Sequence, residues 1–101
     1  MTSDLRYYKR RWSESRGEDF DRWGASDWYF EVGADGWPVR QIERYDDGTV
    51  LKYDVTHVED EYGGLSEAAL DPAEYQEFAI GSAEFEAMWA SEARNRQGGA
   101  A

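Results

Sequence analysis

Two Asp-Gly dipeptides, Asp35-Gly36 and Asp47-Gly48, constrain this chain more than any other feature. Glycine adopts positive φ without a Cβ penalty, so each dipeptide can close a hairpin between antiparallel strands. The flanking residues agree. Ser26 to Gly33 alternates strictly, with Trp28, Phe30 and Val32 on one face and Asp27, Tyr29 and Glu31 on the other. Trp37 to Tyr45 is the expected return strand. A two-residue turn at Asp35-Gly36 sets Val32 opposite Val39 and Glu31 opposite Arg40, a register that leaves Ile42 on the polar face. A β-bulge near Gln41 would bring Ile42 back opposite Phe30. At Asp47-Gly48 the same turn sets Glu43 opposite Lys52, Ile42 opposite Tyr53 and Arg44 opposite Leu51. Leu51, Tyr53 and Val55 then form one core row.

Leu5 to Trp12 is rich in aromatic residues and lacks helix caps, which makes it a fourth strand. Glu14 to Gly24 is polar and holds Gly17 and Gly24, so it reads as a connection that returns Phe20 and Trp23 to the core. Gly63-Gly64 marks a turn, and Leu65 to Leu70 is a short extended piece. Asp71-Pro72-Ala73-Glu74 combines an N-cap, proline at the first helical position and an acid two residues on, which predicts one helical turn. Phe78 to Ile80 is extended. Ser82 caps a final helix from Ala83 to about Arg94, with Phe85, Met88 and Trp89 inward and Arg94 and Arg96 near its negative end. Gln97 to Ala101 is expected to fray.

The expected fold is therefore α+β: a single antiparallel sheet of about four strands with the C-terminal helix packed on one face. The 101 residues make one domain, 1–101, with an ordered core from about 5 to 94. A chain of this length buries roughly 60–70% of its unfolded surface. Its 41% hydrophobic and 16% aromatic residues are enough for that core despite 33% charged residues.

The residue types that are missing narrow the chemistry. No cysteine is present, which removes disulfides, thiolate metal sites and a cysteine nucleophile. The single histidine, His57, has no nucleophile-elbow context, so no catalytic residue is assigned. His57, Glu59 and Glu61 share a parity but match no metal motif, and no metal or cofactor is assigned. Gly63-Gly64 lacks the Lys and Ser/Thr of a phosphate loop. No run approaches the ~20 apolar residues of a membrane span, and the first twenty residues contain no uninterrupted apolar stretch. A soluble, cytoplasmic protein with no membrane association is expected.

Charge is unevenly placed within a net −11. Residues 1–16 hold five cations against two acids, whereas residues 17–101 hold six against twenty. From Tyr53 to Ala93 there is no Lys or Arg, yet eleven carboxylates occur. Such a stretch repels polyanions and attracts cationic partners, or simply keeps a small protein soluble. Tyr62 beside Glu59, Asp60 and Glu61 combines an aromatic anchor with steering charge. These residues are the expected docking site of a non-catalytic acidic binding protein for a basic protein partner. An immunity- or antitoxin-like protein that masks a nuclease's substrate groove is one version of that role.

Two other readings compete. Tyr7, Tyr8, Lys9, Arg10, Arg11, Trp12 and Arg16 interleave cations with aromatics, as surfaces that hold single-stranded nucleic acid do. The structural explanation is that Tyr8 and Trp12 pack inward while Lys9 and Arg11 pair with nearby acids. The large negative charge makes nucleic acid the weaker partner. Alternatively, five Trp and seven Tyr could line a small-molecule pocket between sheet and C-terminal helix.

Tyr8-Lys9-Arg10-Arg11-Trp12, Trp28-Tyr29-Phe30-Glu31-Val32, Arg40-Gln41-Ile42-Glu43, Glu61-Tyr62-Gly63-Gly64-Leu65-Ser66 and Phe85 with Trp89 together resemble a small bacterial domain family of unknown function. The resemblance runs from Tyr7 to Trp89. It implies a single bacterial domain and carries over no catalytic residue.

Overall fold

A computed structural model describes residues 5–95. Arg96 and the expected frayed tail, 97–101, lie outside the described residues. Along the chain come β1 (Arg6–Trp12), a 3-10 helix (Glu18–Trp23), β2 (Ser26–Val32), β3 (Pro38–Tyr45) and β4 (Val50–Asp54). A small hairpin, β5 (Glu59–Asp60) and β6 (Gly63–Gly64), leads to α1 (Pro72–Tyr75), a 3-10 turn (Gln76–Phe78), β7 (Ala79–Ile80) and α2 (Ser82–Trp89). The fold is α+β with one antiparallel main sheet in the order β4-β3-β2-β1-β7. Its fifth strand is the extended piece before α2, where Ile80 pairs with Tyr7 and Ala79 with Tyr8.

Both hairpins turn at the expected glycines, but through three-residue loops. In the second, Gly48 N donates to Tyr45 O at 2.9 Å and Tyr45 N to Thr49 O at 2.8 Å, with Gly48 at φ 98°. In the first, Gly36 N donates to Gly33 O at 2.9 Å and Gly33 N to Trp37 O at 3.0 Å, with Gly36 at φ 86°. Asp35 and Asp47 each accept from the backbone N–H two residues on, that of Trp37 and of Thr49.

One extra loop residue changes the register. Glu43 stands opposite Leu51, Ile42 opposite Lys52, Arg44 opposite Val50 and Gln41 opposite Tyr53, not as expected from a two-residue turn. In the first hairpin Val32 faces Pro38 rather than Val39, and the register then shifts between Glu31 and Val32. That bulge sits beside the turn, not near Gln41. It cancels the extra loop residue, so Glu31 does face Arg40, while Phe30 faces Gln41 and Tyr29 faces Ile42.

Ile42 needs no bulge because both faces of the sheet are buried. On one face Tyr29, Ile42 and Val50 pack under α2 through the fully buried Phe85, with Tyr7, Met88 and Trp89 around them. The other face carries Tyr8, Phe30 and Val32 under Leu70, Tyr75 and Phe78. Farther along that face Trp23, Tyr45, Leu51 and Tyr53 lie under Phe20, Tyr62 and Leu65. Leu51 and Tyr53 are core residues as expected. Val55 is 68% exposed, because β4 ends at Asp54 and the chain turns away there.

α1 begins as predicted, with Asp71 accepting from Ala73 N at 2.9 Å and Pro72 in the first turn. α2 is shorter than expected, and its N-cap is Gly81 rather than Ser82. Arg94 falls beyond the helix, where its N–H donates to Val50 O at 2.8 Å. Asn95 imitates a strand neighbour: its amide accepts from Lys52 N and donates to Lys52 O, both at 2.9 Å. These contacts cover the β4 edge. The negative end of α2 meets Lys52, the ammonium donating to the carbonyls of Trp89 and Ser91, while the guanidinium of Arg94 lies 5.8 Å over the ring of Trp23.

Arg40 fastens α2 to the sheet. Its Nε and Nη2 each donate to Glu31 at 2.6 Å, and Nη1 and Nη2 donate to Glu86 at 3.1 and 2.5 Å. The guanidinium lies 4.9 Å from the ring centroids of both Phe85 and Trp89. Glu31 is only 5% exposed. Arg40→Met therefore leaves a buried carboxylate without its cation and is expected to cost about 3–5 kcal/mol in urea unfolding. Adding Glu31→Gln to that variant should recover part of the loss. Around Gly48 nothing lies within 4 Å of an added Cβ, so Gly48→Ala isolates the backbone penalty. A loss of about 1–2 kcal/mol is expected by the same measurement. At Gly81, equally open and at φ −84°, the N-cap preference for Gly over Ala is offset by the gain of about 0.4–1 kcal/mol from a less flexible unfolded chain, so Gly81→Ala should cost less than Gly48→Ala.

Candidate functional site

The 3-10 helix is bracketed by Gly17 and Gly24, both at φ 82°, where a side chain would be strained. Phe20 N bonds to Gly17 O at 3.0 Å and Gly24 N to Asp21 O at 3.2 Å. With three residues per turn, Phe20 and Trp23 share a side. Their rings lie 4.6 Å apart, and Trp23 continues to Tyr45 at 5.1 Å and Tyr62 at 5.9 Å. The polar remainder, Glu18, Asp19, Asp21 and Arg22, is exposed.

Opposite stands the β5–β6 hairpin, whose two-residue tip is Glu61-Tyr62, because Asp60 pairs with Gly63 and Glu59 with Gly64. Gly63-Gly64 is thus a strand, not the turn. A Cβ on Gly64 would lie 2.7 Å from Val58 O and 3.0 Å from Glu59 Cβ, an approach only glycine permits. Between the two elements lies an open cleft of about 740 Å³. Phe20, Trp23 and Tyr62 form its floor. Four acids, Glu18, Asp19, Asp21 and Glu61, stand on its walls against Arg22 and Arg94.

The expected docking residues divide. Glu59 and Glu61 are exposed, and their side chains make no ion pair or hydrogen bond among the described residues. Tyr62 is half-buried, its ring 6.1 Å from Phe20. Asp60 faces inward. Its Oδ1 accepts from Tyr53 Oη and Tyr62 N, both at 2.9 Å, and its Oδ2 contacts His57 Nε2 and accepts from Asn95 Nδ2, both at 2.8 Å. Burial works to raise its pKa, but the hydrogen bonds, His57's first, outweigh it and hold Asp60 at about 2. Asp60 positions the tip; Glu61 is what the tip presents. His57 is engaged by Asp60 rather than grouped with Glu59 and Glu61. No set of three or more metal-ligating side chains is assembled among the described residues.

Two further contacts brace the floor. Arg16 lies 4.6 Å over Phe20 and 5.5 Å over Trp23 and donates to Tyr62 O. Gln41 donates to Gly64 O at 3.1 Å and accepts from Ser66 N at 2.8 Å, fixing this loop to the sheet. Glu43, 4% exposed, accepts from Gln41 at 2.9 Å and from Tyr45 Oη at 2.6 Å. Burial raises its pKa, and burial and then Glu43 raise that of Tyr45. Both Glu43 oxygens serve internal donors, so its role is to hold this wall.

β1 divides its residues between the two faces. Tyr8 is buried, and Tyr7 donates to Glu31 at 2.9 Å. Lys9 pairs with Glu84 at 3.7 Å, Arg10 with Glu74 at 2.9 Å, and Arg11 with Asp46 at 2.8 Å and Asp27 at 3.5 Å. Trp12, expected inward with Tyr8, is 53% exposed. The stretch thus presents no continuous set of unpaired cations. Under α2, where the alternative small-molecule pocket would lie, the rings of Tyr7 and Trp89 stand 5.3 and 6.2 Å from that of Phe85.

Of the eleven carboxylates between Tyr53 and Ala93, Glu74, Glu84 and Glu86 are neutralised by cations of β1 and β3. Glu59, Glu61, Glu67, Glu77 and Glu92 remain exposed without such a partner among the described residues. Sequence reasoning missed Glu18, Asp19 and Asp21. A signal was present in Gly17-Glu18-Asp19-Phe20-Asp21-Arg22-Trp23-Gly24, where two glycines bracket acids around an i, i+3 aromatic pair. Among the described residues no helix is long and apolar enough to cross a membrane. No protein-family model, curated protein or solved structure matches the chain.

The Asp60 network sets a pH dependence. A carboxylate lowered from 3.8 to about 2 on folding adds stability above its unfolded value that is lost as pH falls through the folded one. Thermal unfolding between pH 4 and 2 should show a steep loss in the native protein and a shallower one in Asp60→Asn. The variant should already be less stable at pH 7.

Proposed function

We propose that this protein is a non-catalytic binding module that docks a basic protein partner in the cleft between the 3-10 helix and the β5–β6 tip. The observation that carries this reading is the pairing of an aromatic floor with a rim of four acids and two arginines. Exposed carboxylates steer a cationic surface toward the cleft, and the rings supply apolar contact once water is displaced. Glu84, Glu74 and Glu86 are spent on Lys9, Arg10 and Arg40, whereas Glu18, Asp19, Asp21 and Glu61 form no salt bridge among the described residues. Cationic substrate grooves of nucleases have the matching chemistry. An immunity- or antitoxin-like role is the version of this function that such a partner would give, in a bacterial domain of the kind the sequence resembles.

The test combines capture with mapping. Immobilised protein is exposed to a bacterial extract and eluted with rising salt, and the recovered partner is titrated into labelled protein by NMR. A basic protein released between about 0.1 and 0.5 M salt is expected, because screening weakens exposed pairs over that range. Its amide shifts should centre on residues 18–23 and 61–62. Asp19→Lys with Glu61→Lys changes two exposed side chains and should abolish capture without altering the circular dichroism spectrum. Shifts that bypass the cleft, or capture unaffected by the double charge reversal, would sink the reading.

A further inference from the structure

We propose that a hollow at one end of the sheet, on the face away from α2, binds a small apolar zwitterion, an amino acid or dipeptide with apolar side chains. Arg6 and Tyr8 would take its carboxylate, and Asp35 and Asp71 its ammonium group. The hollow shares no lining residue with the acidic cleft, so the inference stands independently of the function proposed for that cleft.

The walls are formed by contacts already in the fold. Arg6 and Tyr8, two apart on β1, project from the same face, and Val32 of β2 stands opposite Arg6. Leu70 N donates to Gly36 O at 2.8 Å, which ties the start of α1 to the first hairpin loop. The approach is close, since a Cβ on Gly36 would lie 3.2 Å from Leu70 O. The hollow between these elements measures about 520 Å³, within the ordinary range of small-molecule sites, and Val32, Leu70 and Pro72 make much of its lining apolar.

Tyr8 supplies the observation that points to a ligand. It is only 5% exposed, yet its hydroxyl has no hydrogen-bond partner among the described residues. The other buried tyrosines are satisfied: Tyr45 donates to Glu43, Tyr53 to Asp60, and Tyr29 bonds with Lys9. No fully enclosed side-chain polar atom among the described residues lacks a partner, so the Tyr8 hydroxyl still reaches the surface. Tyr8 lines this hollow and a second one of about 510 Å³, which shares Arg6, Tyr8 and Pro72 with it. A nearly buried donor left open to a cavity suits an acceptor brought from outside.

The available charges select the occupant. Arg6 is exposed and makes no ion pair, hydrogen bond or ring contact among the described residues, whereas Lys9, Arg10 and Arg11 of the same strand are paired. A guanidinium beside a phenolic hydroxyl suits a carboxylate. Asp35 and Asp71 also line the hollow; each commits Oδ1 to a backbone N–H two residues on, and neither Oδ2 takes a donor among the described residues. In a protein of net charge −11, two such acids disfavour a simple anion and favour a ligand that carries an ammonium group as well. The apolar lining takes the side chain, and the second hollow leaves room for a second residue.

The probes are L-leucine and L-leucyl-L-leucine, titrated into labelled full-length protein and followed by NMR. Saturable amide shifts are expected at residues 6–8, 33–36 and 69–72, with a Kd below about 1 mM for the tighter probe; either one being the tighter supports the proposal and tells which length fills the site. The N-acetyl form of that probe lacks the ammonium group and the amide form lacks the carboxylate, so each should bind at least about tenfold more weakly. Tyr8→Phe removes only the hydroxyl and should weaken binding about three- to tenfold while leaving the thermal midpoint unchanged. Arg6→Gln should weaken binding at least about tenfold. Should either variant not fold, the N-acetyl and amide forms on native protein carry the test. The proposal is overturned by no saturable shift at about 10 mM of either probe, by shifts centred on residues 18–23 and 61–62 instead, by an N-acetyl or amide form binding as well as its parent, or by unchanged binding in either folded variant.

Discussion

Arg40 lies between two carboxylates, one on the neighbouring strand and one on the C-terminal helix, with aromatic rings of that helix beneath its guanidinium. A sheet this small can close its core only if both faces are covered, and the cover on this face is a helix of only eight residues. So short a helix gains little from its own backbone and depends on tertiary attachment. Arg40 supplies the attachment at one place and Lys52, at the helix's negative end, at another. Glu31 can be interior because Arg40 reaches it with two donors, and Tyr7 adds a third. Polar residues on this face therefore form the joint between layers.

The opposite face is held by different means. No long helix covers it; instead loops and short turns bring Phe20, Tyr62, Leu65, Leu70, Tyr75 and Phe78 onto the strands. Loops carry unpaired backbone groups, and interior side chains satisfy them here: Gln41 bonds to Gly64 O and Ser66 N, and Asp60 to Tyr62 N. The candidate binding cleft is a product of this arrangement. Its walls are the outer surfaces of two such elements, and its floor is the aromatic layer that fastens them down. Rigid support below and exposed charge above is the arrangement expected of a docking surface.

Much of the scaffold was legible in the sequence. Alternation in Ser26–Gly33, the Asp-Gly turns, the Asp71-Pro72 helix start and the inward set Phe85, Met88 and Trp89 all report local preferences that the tertiary structure retains. Register was not legible in the same way, since one additional loop residue at Gly48 moves every pairing on β4 by one position. A dipeptide specifies the glycine that takes positive φ, but not how many residues the loop contains. Side-chain polarity misled at Tyr29 and Glu31 for a related reason. A period of two separates the faces of a strand but does not reveal that both are covered.

The sequence by itself determined the α+β class, the antiparallel order of the central strands, the position of the turning glycines and the large negative charge, because these follow from neighbouring residues or from composition. Only the tertiary structure decided which charges remain available. Glu74 lies sixty-four residues from Arg10 and Glu86 forty-six from Arg40, yet both pairs are in contact, while Glu18, Asp19 and Asp21 face Glu61 across a cleft. Electrostatic interaction depends on distance in space and on burial, and neither is encoded in spacing along the chain.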